Sequence, residues 1–155
     1  MSDYQAILPA PGFALGVRCT GDEITGIAYL EPCAEIGPAS LLAKEAVRQL
    51  RAYLNDPRFN FSLPLAPAGT AFQRQVWQGI AAIPAGQTLT YGDLAAAIHS
   101  GPRAVGNACG ANPYPLVVPC HRVVAANRGL GGFARQRGGF LLEVKRWLLV
   151  HEGSR

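Results

Sequence analysis

The sequence lacks the features that mark metal-binding and disulfide-stabilised proteins. Its four cysteines stand at unrelated spacings with no Cys-x-x-Cys pair, and none of its three histidines falls at a zinc-finger interval. These absences argue against a structural zinc site and against a disulfide framework. We therefore predict no metal and no cofactor.

Long apolar runs and an N-terminal targeting segment are also missing. The longest uncharged stretches, residues 75–92 and 104–120, contain proline, glycine and side-chain amides, so neither is typical of a membrane-spanning helix. The first residues show no basic start followed by an apolar run. We expect no membrane association and a cytoplasmic protein whose thiols are reduced.

Charge is sparse and unevenly distributed. Charged residues make up 15% of the chain and apolar residues 49%, which indicates a compact globular protein. Residues 1–69 hold five bases and seven acids, net −2, whereas residues 70–155 hold nine bases and three acids, net +6. Arginine supplies 12 of the 14 bases, and its planar fork suits phosphate. The second half is a candidate polyanion surface, although a solvated surface with incidental charge explains the count equally well.

The N-terminal half alternates short strands with one helix. Phe13–Cys19 and Ile24–Leu30 are β-leaning runs separated by a turn, which predicts a strand pair. Ser40 is a candidate N-cap for a helix over 41–54, which Asn-Asp-Pro ends. Phe59–Leu63 alternates apolar and polar residues, as in a half-buried strand.

A proline-rich and alanine-rich stretch at 63–69 coincides with the change in charge and is typical of a linker. We predict two domains, 1–66 and 67–155. The fold class is α/β (α+β): a small lobe of strands plus a helix, then a mainly helical domain.

Four helices are predicted in the second half: Phe72–Ile83, Tyr91–Ile98, Arg103–Gly110 and Phe140–Val150. The two middle helices are short and joined by a tight turn containing glycine, and Pro102 fits the first turn of the second. This pattern suggests a helix-turn-helix, although many such helix pairs touch no nucleic acid.

The strongest local feature is a cysteine next to a histidine. The apolar run Leu116–Val118 ends at Pro119, so Cys120 stands on a stiff loop, followed by His121 and Arg122. A thiol attacks as its thiolate, and a neighbouring histidine can take its proton. Two alternatives remain at this point. A buried cysteine is often inert, and adjacent side chains of an extended chain point to opposite faces.

The residues around Cys120 resemble the signature of the O6-alkylguanine-DNA alkyltransferase family, also called methylated-DNA-protein-cysteine methyltransferases. The signature comprises Pro119–Val123, the preceding Asn112-Pro113 and the following Gly129–Phe133. Further blocks resemble the family in the same order: Phe72–Trp77, Ile83–Gly86, Thr90–Gly92, Arg103–Ala108 and Lys145–Glu152. The resemblance covers about residues 70–153. The N-terminal half resembles the family only in its expected strands and helix.

The resemblance implies a catalytic role for five residues. Cys120 would take the alkyl group irreversibly, so one molecule repairs one lesion. His121 would remove the thiol proton, through a water, and Glu152 would hold the imidazole. Asn112 would brace the loop, and the Tyr91 hydroxyl would assist departure of the guanine oxygen.

The resemblance also implies double-stranded DNA as partner, bound through the minor groove, with the alkylated guanine flipped into a pocket. Arg103 would fill the place of the flipped base. Further DNA-contact positions are Ala104, Gly106, Gln73, Gly92 and Ala126. Pocket positions are Cys109, Pro115, Val123, Phe133 and Ala134. We expect a monomer without an obligate protein partner.

Three departures from the family pattern bear on substrate handling. The segment from Tyr91 to Arg103 is two residues shorter than usual, and Phe133 stands where a tyrosine is common. An insertion at 135–139 suggests a basic flap, or a tolerated surface insertion. Cys109 is either an inert part of the pocket wall or a second thiol near the substrate.

Three other functions are alternatives for a sequence of this kind. The first is a damage sensor, a protein that flips the damaged base but lacks the nucleophilic cysteine. The presence of Cys120 argues against this function. A regulator switched by methylation carries an additional cysteine-rich domain, which this sequence does not contain. A cysteine hydrolase would turn over an ester without affinity for DNA.

Overall fold

The computed structural model describes residues 4–125 and 139–154. It divides into two compact units, Met1–Pro67 and Ala68–Arg155. The division lies within the proline-rich stretch. Each unit has a hydrophobic interior of its own.

The first unit is an antiparallel sheet with one helix. Strands β1 (Ala6–Ala10), β2 (Phe13–Thr20) and β3 (Glu23–Leu30) lie side by side in chain order, and helix α1 (Leu41–Asn55) packs on β1 and β2. The Ser40 hydroxyl accepts a hydrogen bond from the Ala43 amide at 3.0 Å, which caps the helix as predicted. The buried interior consists mainly of Phe13, Leu15, Val17, Ile24, Leu50 and Tyr53.

The prediction of a strand at Phe59–Leu63 is wrong. The side-chain amide of the buried Gln49 takes the place of a neighbouring strand: its Oε1 accepts from the Ser62 amide at 2.8 Å. Its Nε2 donates to the Ser62 carbonyl at 3.3 Å. The segment keeps the alternating exposure of a strand because Gln49 holds it extended, without a ladder of backbone hydrogen bonds.

Strand β1 was not predicted. It is an edge strand, and Pro9 within it interrupts the usual strand signal because proline donates no hydrogen bond. Its register with β2 pairs Ile7 with Gly16. The sheet therefore has three strands where the sequence indicated a pair.

The second unit is mainly helical. Its elements in chain order are α2 (Ala71–Ala81), β4 (Leu89–Thr90), α3 (Tyr91–Ala97), α4 (Pro102–Gly110), a 3₁₀ turn (Cys120–Arg122), β5 (Val123–Val124) and α5 (Phe140–His151). Strands β4 and β5 pair in parallel and were not predicted, because two-residue strands leave no periodicity. The predicted helices are present, with ends shifted by about one or two residues.

Helices α3 and α4 pack against each other as a helix-turn-helix, and α2 supports α4. The Trp77 indole donates to the Ala108 carbonyl at 2.8 Å. Capping boxes begin α2 at Thr70 and α3 at Thr90, and Pro102 is the first residue of α4. The predicted fold class is confirmed. None of the helices described is long and apolar enough to cross a membrane.

The role of Gln49 can be tested by Gln49→Met, which keeps the side-chain volume and removes the hydrogen bonds to Ser62. We expect the free energy of unfolding to fall by about 1 to 3 kcal/mol, measured by urea denaturation. The exposed Arg51→Ala on the same helix is the control and should change it by less than about 0.5 kcal/mol. Equal effects of the two variants would contradict this assignment.

Candidate active site

Cys120 lies on a backbone turn that Pro119 creates. Pro119 has φ −82° and ψ 68°, the geometry of an inverse γ-turn, and the Cys120 amide donates to the Val118 carbonyl at 2.8 Å. Because proline fixes φ near this value, the turn is built into the sequence. The chain then continues into the 3₁₀ turn, which fixes the direction of the thiol.

Asn112 braces the loop that leads to Cys120. Its Nδ2 donates to the Val118 carbonyl at 2.9 Å and lies 3.2 Å from the Cys120 Sγ, while its Oδ1 accepts from the Tyr114 amide at 2.9 Å. The loop also holds the buried Leu116 at φ 78°, a left-handed conformation that a side chain of this kind rarely adopts. One amide thus holds a strained loop and contacts the thiol.

The Cys120 thiol is 5% exposed and lies among polar groups. Its Sγ is 3.7 Å from the Cys109 carbonyl oxygen. A hydrogen bond with the Cys109 side chain, together with burial, raises the pKa of Cys120, whereas Asn112 and Lys145 act to lower it. The resting group is therefore a thiol, so attack requires a base.

His121, Arg122 and Glu152 form one buried network. The His121 Nε2 lies 2.7 Å from the Glu152 Oε2. Arg122 binds the same carboxylate with two nitrogens, each at 2.9 Å, and its Nη1 donates to the Ile83 carbonyl at 2.7 Å. Arg122 and His121 thus hold the ionised Glu152 carboxylate in place, and both of its oxygens accept hydrogen bonds.

This network sets the tautomer of His121. Burial lowers the pKa of His121, although Glu152 opposes the shift, so the ring is neutral near pH 7. A carboxylate only accepts, so Nε2 carries the proton and Nδ1 is left with a lone pair. Nδ1 is buried and has no hydrogen-bond partner among the residues described. It is therefore oriented to accept a proton.

Lys145 places a cation beside the thiols. It is fully buried on α5, and its Nζ donates to the Val123 carbonyl at 2.9 Å and lies 5.9 Å from the centroid of the Tyr91 ring. Burial lowers the pKa of Lys145 to about 8, and interaction with Cys109 and Cys120 opposes this. An ammonium here stabilises negative charge on either sulfur.

Sequence reasoning assigned no role to Lys145 or Arg122. The signal for Lys145 was a lysine between Val144 and the exposed Arg146 on a helix whose buried face is otherwise apolar. Arg122 lay inside the signature, but its partner Glu152 is 30 residues away in sequence. Only the fold brings the guanidinium and carboxylate together.

The half-buried Tyr91 is the first residue of α3. Burial, together with interaction with Cys109 and Cys120, raises the pKa of its hydroxyl, so this group stays protonated and can donate. Among the other pocket positions, Val123 is buried and Pro115 is half-buried on the loop before Cys120. Phe133 and Ala134 lie outside the described residues.

The predicted DNA contacts lie mainly on α4. Arg103 is exposed near the start of the helix, with Ala104 and Gly106 half-buried. A Cβ on Gly106 would meet nothing within 4 Å among the described residues, whose packing therefore does not require glycine there. Gly92 is exposed at the start of α3.

A surface groove joins α4 to the start of α2. It is lined by Thr70, Phe72, Gln73, Ala104, Asn107 and Ala108. Two predicted contacts, Gln73 and Ala104, are therefore neighbours, although Gln73 also closes the capping box with Thr70. Ala126 lies outside the described residues, as does the 135–139 insertion except for Gly139, which has φ 79°.

Residues 71–154 match the family model described as the DNA-binding domain of 6-O-methylguanine DNA methyltransferase. The chain belongs to this family. The match spans both the helix-turn-helix and the Cys120 site, so it confirms the family that the sequence motifs indicated. It leaves the role of each site residue to be tested.

Relatives are similar over part or most of their length. The methylated-DNA-protein-cysteine methyltransferase of Methanosarcina acetivorans is 45% identical over 113 residues, 72% of this chain and 69% of that protein. The regulatory protein Ada of Salmonella typhimurium is 48% identical over 106 residues, but the match spans only 30% of its length. The crystal structure of Mycobacterium tuberculosis OGT in complex with DNA aligns with a TM-score of 0.80 and 34% identity, covering 95% of this chain and 91% of that one.

No cluster of three or more metal-binding side chains occurs within residues 4–125 and 139–154. The sequence prediction of no metal stays a prediction. The arrangement can instead provide a buried thiol, a neutral base and a hydroxyl donor.

The buried neutral state of His121 predicts a pH dependence of stability. Its pKa is lower in the folded state, so the unfolded chain binds more protons, and stability falls as pH drops below about 6.5. We expect the free energy of unfolding to decrease from about pH 7.5 to about pH 5.5 more steeply in the unmodified chain than in His121→Asn. Urea denaturation across this range compares the slopes, and parallel slopes would contradict a buried neutral His121.

Proposed function

We propose that this protein repairs DNA by transferring an alkyl group from O6 of guanine to Cys120. The observation that carries the proposal is the neutral His121, which directly follows the buried Cys120 and whose buried Nδ1 has no hydrogen-bond partner among the described residues. The Cys120 Sγ–carbon bond forms as the carbon–O6 bond breaks. Because a thioether is not hydrolysed, each molecule acts once.

Proton removal from Cys120 is the first requirement. The His121 Nδ1 makes no direct hydrogen bond to the thiol in the part of the chain that is described. We infer that one water relays the proton from Sγ to Nδ1. Glu152 then stabilises the imidazolium through its 2.7 Å contact with Nε2.

Departure of guanine is the second requirement. As the bond to the alkyl carbon breaks, negative charge develops on O6 and spreads over the base. The Tyr91 hydroxyl, which stays protonated, would donate to the base. The charge of Lys145 favours the thiolate before attack, which makes it a candidate electrostatic contributor.

We propose that α3 and α4 dock on double-stranded DNA through the minor groove. Arg103 is exposed at the start of α4 and would enter the stack in place of the flipped guanine. The net charge of +6 over residues 70–155 supports phosphate contact independent of base sequence. A monomer suffices, because these side chains come from one chain.

Alkyl transfer can be tested by mixing the protein with a duplex oligonucleotide that carries one O6-methylguanine and recording the intact protein mass. We expect a gain of one methylene mass, limited to one per molecule and mapped to the Cys120 peptide. Cys120→Ser is the control and should bind the duplex without the gain. Binding without any mass change in the unmodified protein would overturn transfer and favour damage sensing.

The DNA-facing role of α4 can be tested by Gly106→Ala. The added methyl group meets no described residue within 4 Å and improves helix propensity, so we expect the free energy of unfolding to rise by about 0.5 to 1 kcal/mol. If the helix lies against DNA, the same methyl group should weaken duplex binding several-fold, measured by fluorescence anisotropy. The exposed Gln78→Ala on α2 is the control. A more stable variant with unchanged affinity would place DNA elsewhere.

A further inference from the structure

Two thiols lie together at the site, and the proposed transfer uses only one. Cys109 is half-buried near the end of α4, and its carbonyl oxygen is 3.7 Å from the Cys120 Sγ. Each residue also shifts the pKa of the other, lowering that of Cys109 and raising that of Cys120. The residue that carries the second thiol is therefore in contact with the nucleophile.

We propose that Cys109 and Cys120 form a reversible disulfide when the protein meets a peroxide, and that this bond protects the nucleophile from irreversible oxidation. The proposal does not depend on alkyl transfer. It assigns to Cys109 the role of partner thiol, where the sequence left it as part of the pocket wall or a second thiol near the substrate.

The chemistry requires only the two thiols and the peroxide. One thiolate attacks a peroxide oxygen, the O–O bond breaks, and water or an alcohol leaves, giving a sulfenic acid. The second thiolate then attacks that sulfur, the S–O bond breaks, and a second water leaves. In total two thiols lose two electrons and two protons, and the peroxide is reduced.

The surroundings favour Cys109 as the first thiol oxidised. It is more exposed than Cys120, and the hydrogen bond from Cys120 lowers its pKa. The buried Lys145 lies where its charge favours the thiolate of either cysteine. Cys120, whose Sγ already contacts the Cys109 carbonyl, can then resolve the oxidised sulfur.

Formation of the bond needs a local movement, because a disulfide requires a sulfur–sulfur distance of about 2.05 Å. The movement falls on the loop between α4 and the 3₁₀ turn, which contains the strained Leu116. The disulfide removes the nucleophile from reaction until a dithiol reduces it. Without a partner thiol, the sulfenic acid of Cys120 would proceed to sulfinic acid, which common reductants do not reverse.

The test treats the full chain with graded hydrogen peroxide in the absence of DNA. Both cysteines fall in the tryptic peptide 104–122, so the disulfide lowers the mass of one peptide by two hydrogens. We expect this product first, located by tandem mass spectrometry and reversed by dithiothreitol. Cys33→Ser, which removes an exposed thiol of the first unit, should behave in the same way.

Cys109→Ser gives the decisive comparison. In this variant we expect Cys120 to gain two oxygens, and the fraction of Cys120 recovered by dithiothreitol to fall several-fold. Equal recovery in Cys109→Ser and the unmodified protein, or sulfinic acid at Cys120 without the linked peptide in the unmodified protein, would overturn the proposal. Since the readout is peptide mass without DNA, its failure is distinct from failure of alkyl transfer.

Discussion

The site depends on the buried contact between Arg122 and Glu152. This bidentate pair keeps a carboxylate ionised behind His121, and the carboxylate dictates which ring nitrogen carries the proton. Loss of either partner from such a buried pair is destabilising by about 3 to 5 kcal/mol, because the other charge is left uncompensated. Arg122 also binds the Ile83 carbonyl, so the pair connects the end of α2, the 3₁₀ turn and the end of α5. The same contact therefore orients the base and joins three separate segments.

Lys145 is a second buried charge of this site, and its role differs from that of Arg122. Its hydrogen bond to the Val123 carbonyl fixes the backbone just after the 3₁₀ turn, while its charge acts on the two neighbouring sulfur atoms. Burial weakens its hold on the proton, since a pKa of about 8 is well below the ordinary value for lysine. The raised pKa of Cys120 disfavours its thiolate, and the charge of Lys145 partly offsets that cost.

The sequence predicted the helices well because caps, prolines and apolar spacing are local signals, as at Ser40 and Pro102. It also predicted the contact between His121 and Glu152, through the family resemblance. It failed where structure depends on distant partners. The segment at Phe59–Leu63 is held by a side chain instead of a strand, and the pairing of β4 with β5 joins residues far apart in sequence. The positions of Arg122 and Lys145 were unpredicted for the same reason.

A nucleophile that acts once must stay unreactive until its substrate is in place. Interaction with Cys109, together with burial, raises the pKa of Cys120 and keeps the thiol protonated, and the neutral His121 adds no cation that would ionise it early. Lys145 acts in the opposite sense, because its charge favours a thiolate at either cysteine, and the pKa of Cys109 is lowered. A cysteine that forms a thiolate without a second thiol nearby would be exposed to irreversible oxidation. With Cys109 in contact, the first oxidised sulfur has a partner at hand, so the features that favour reaction with carbon also favour a reversible product with peroxide.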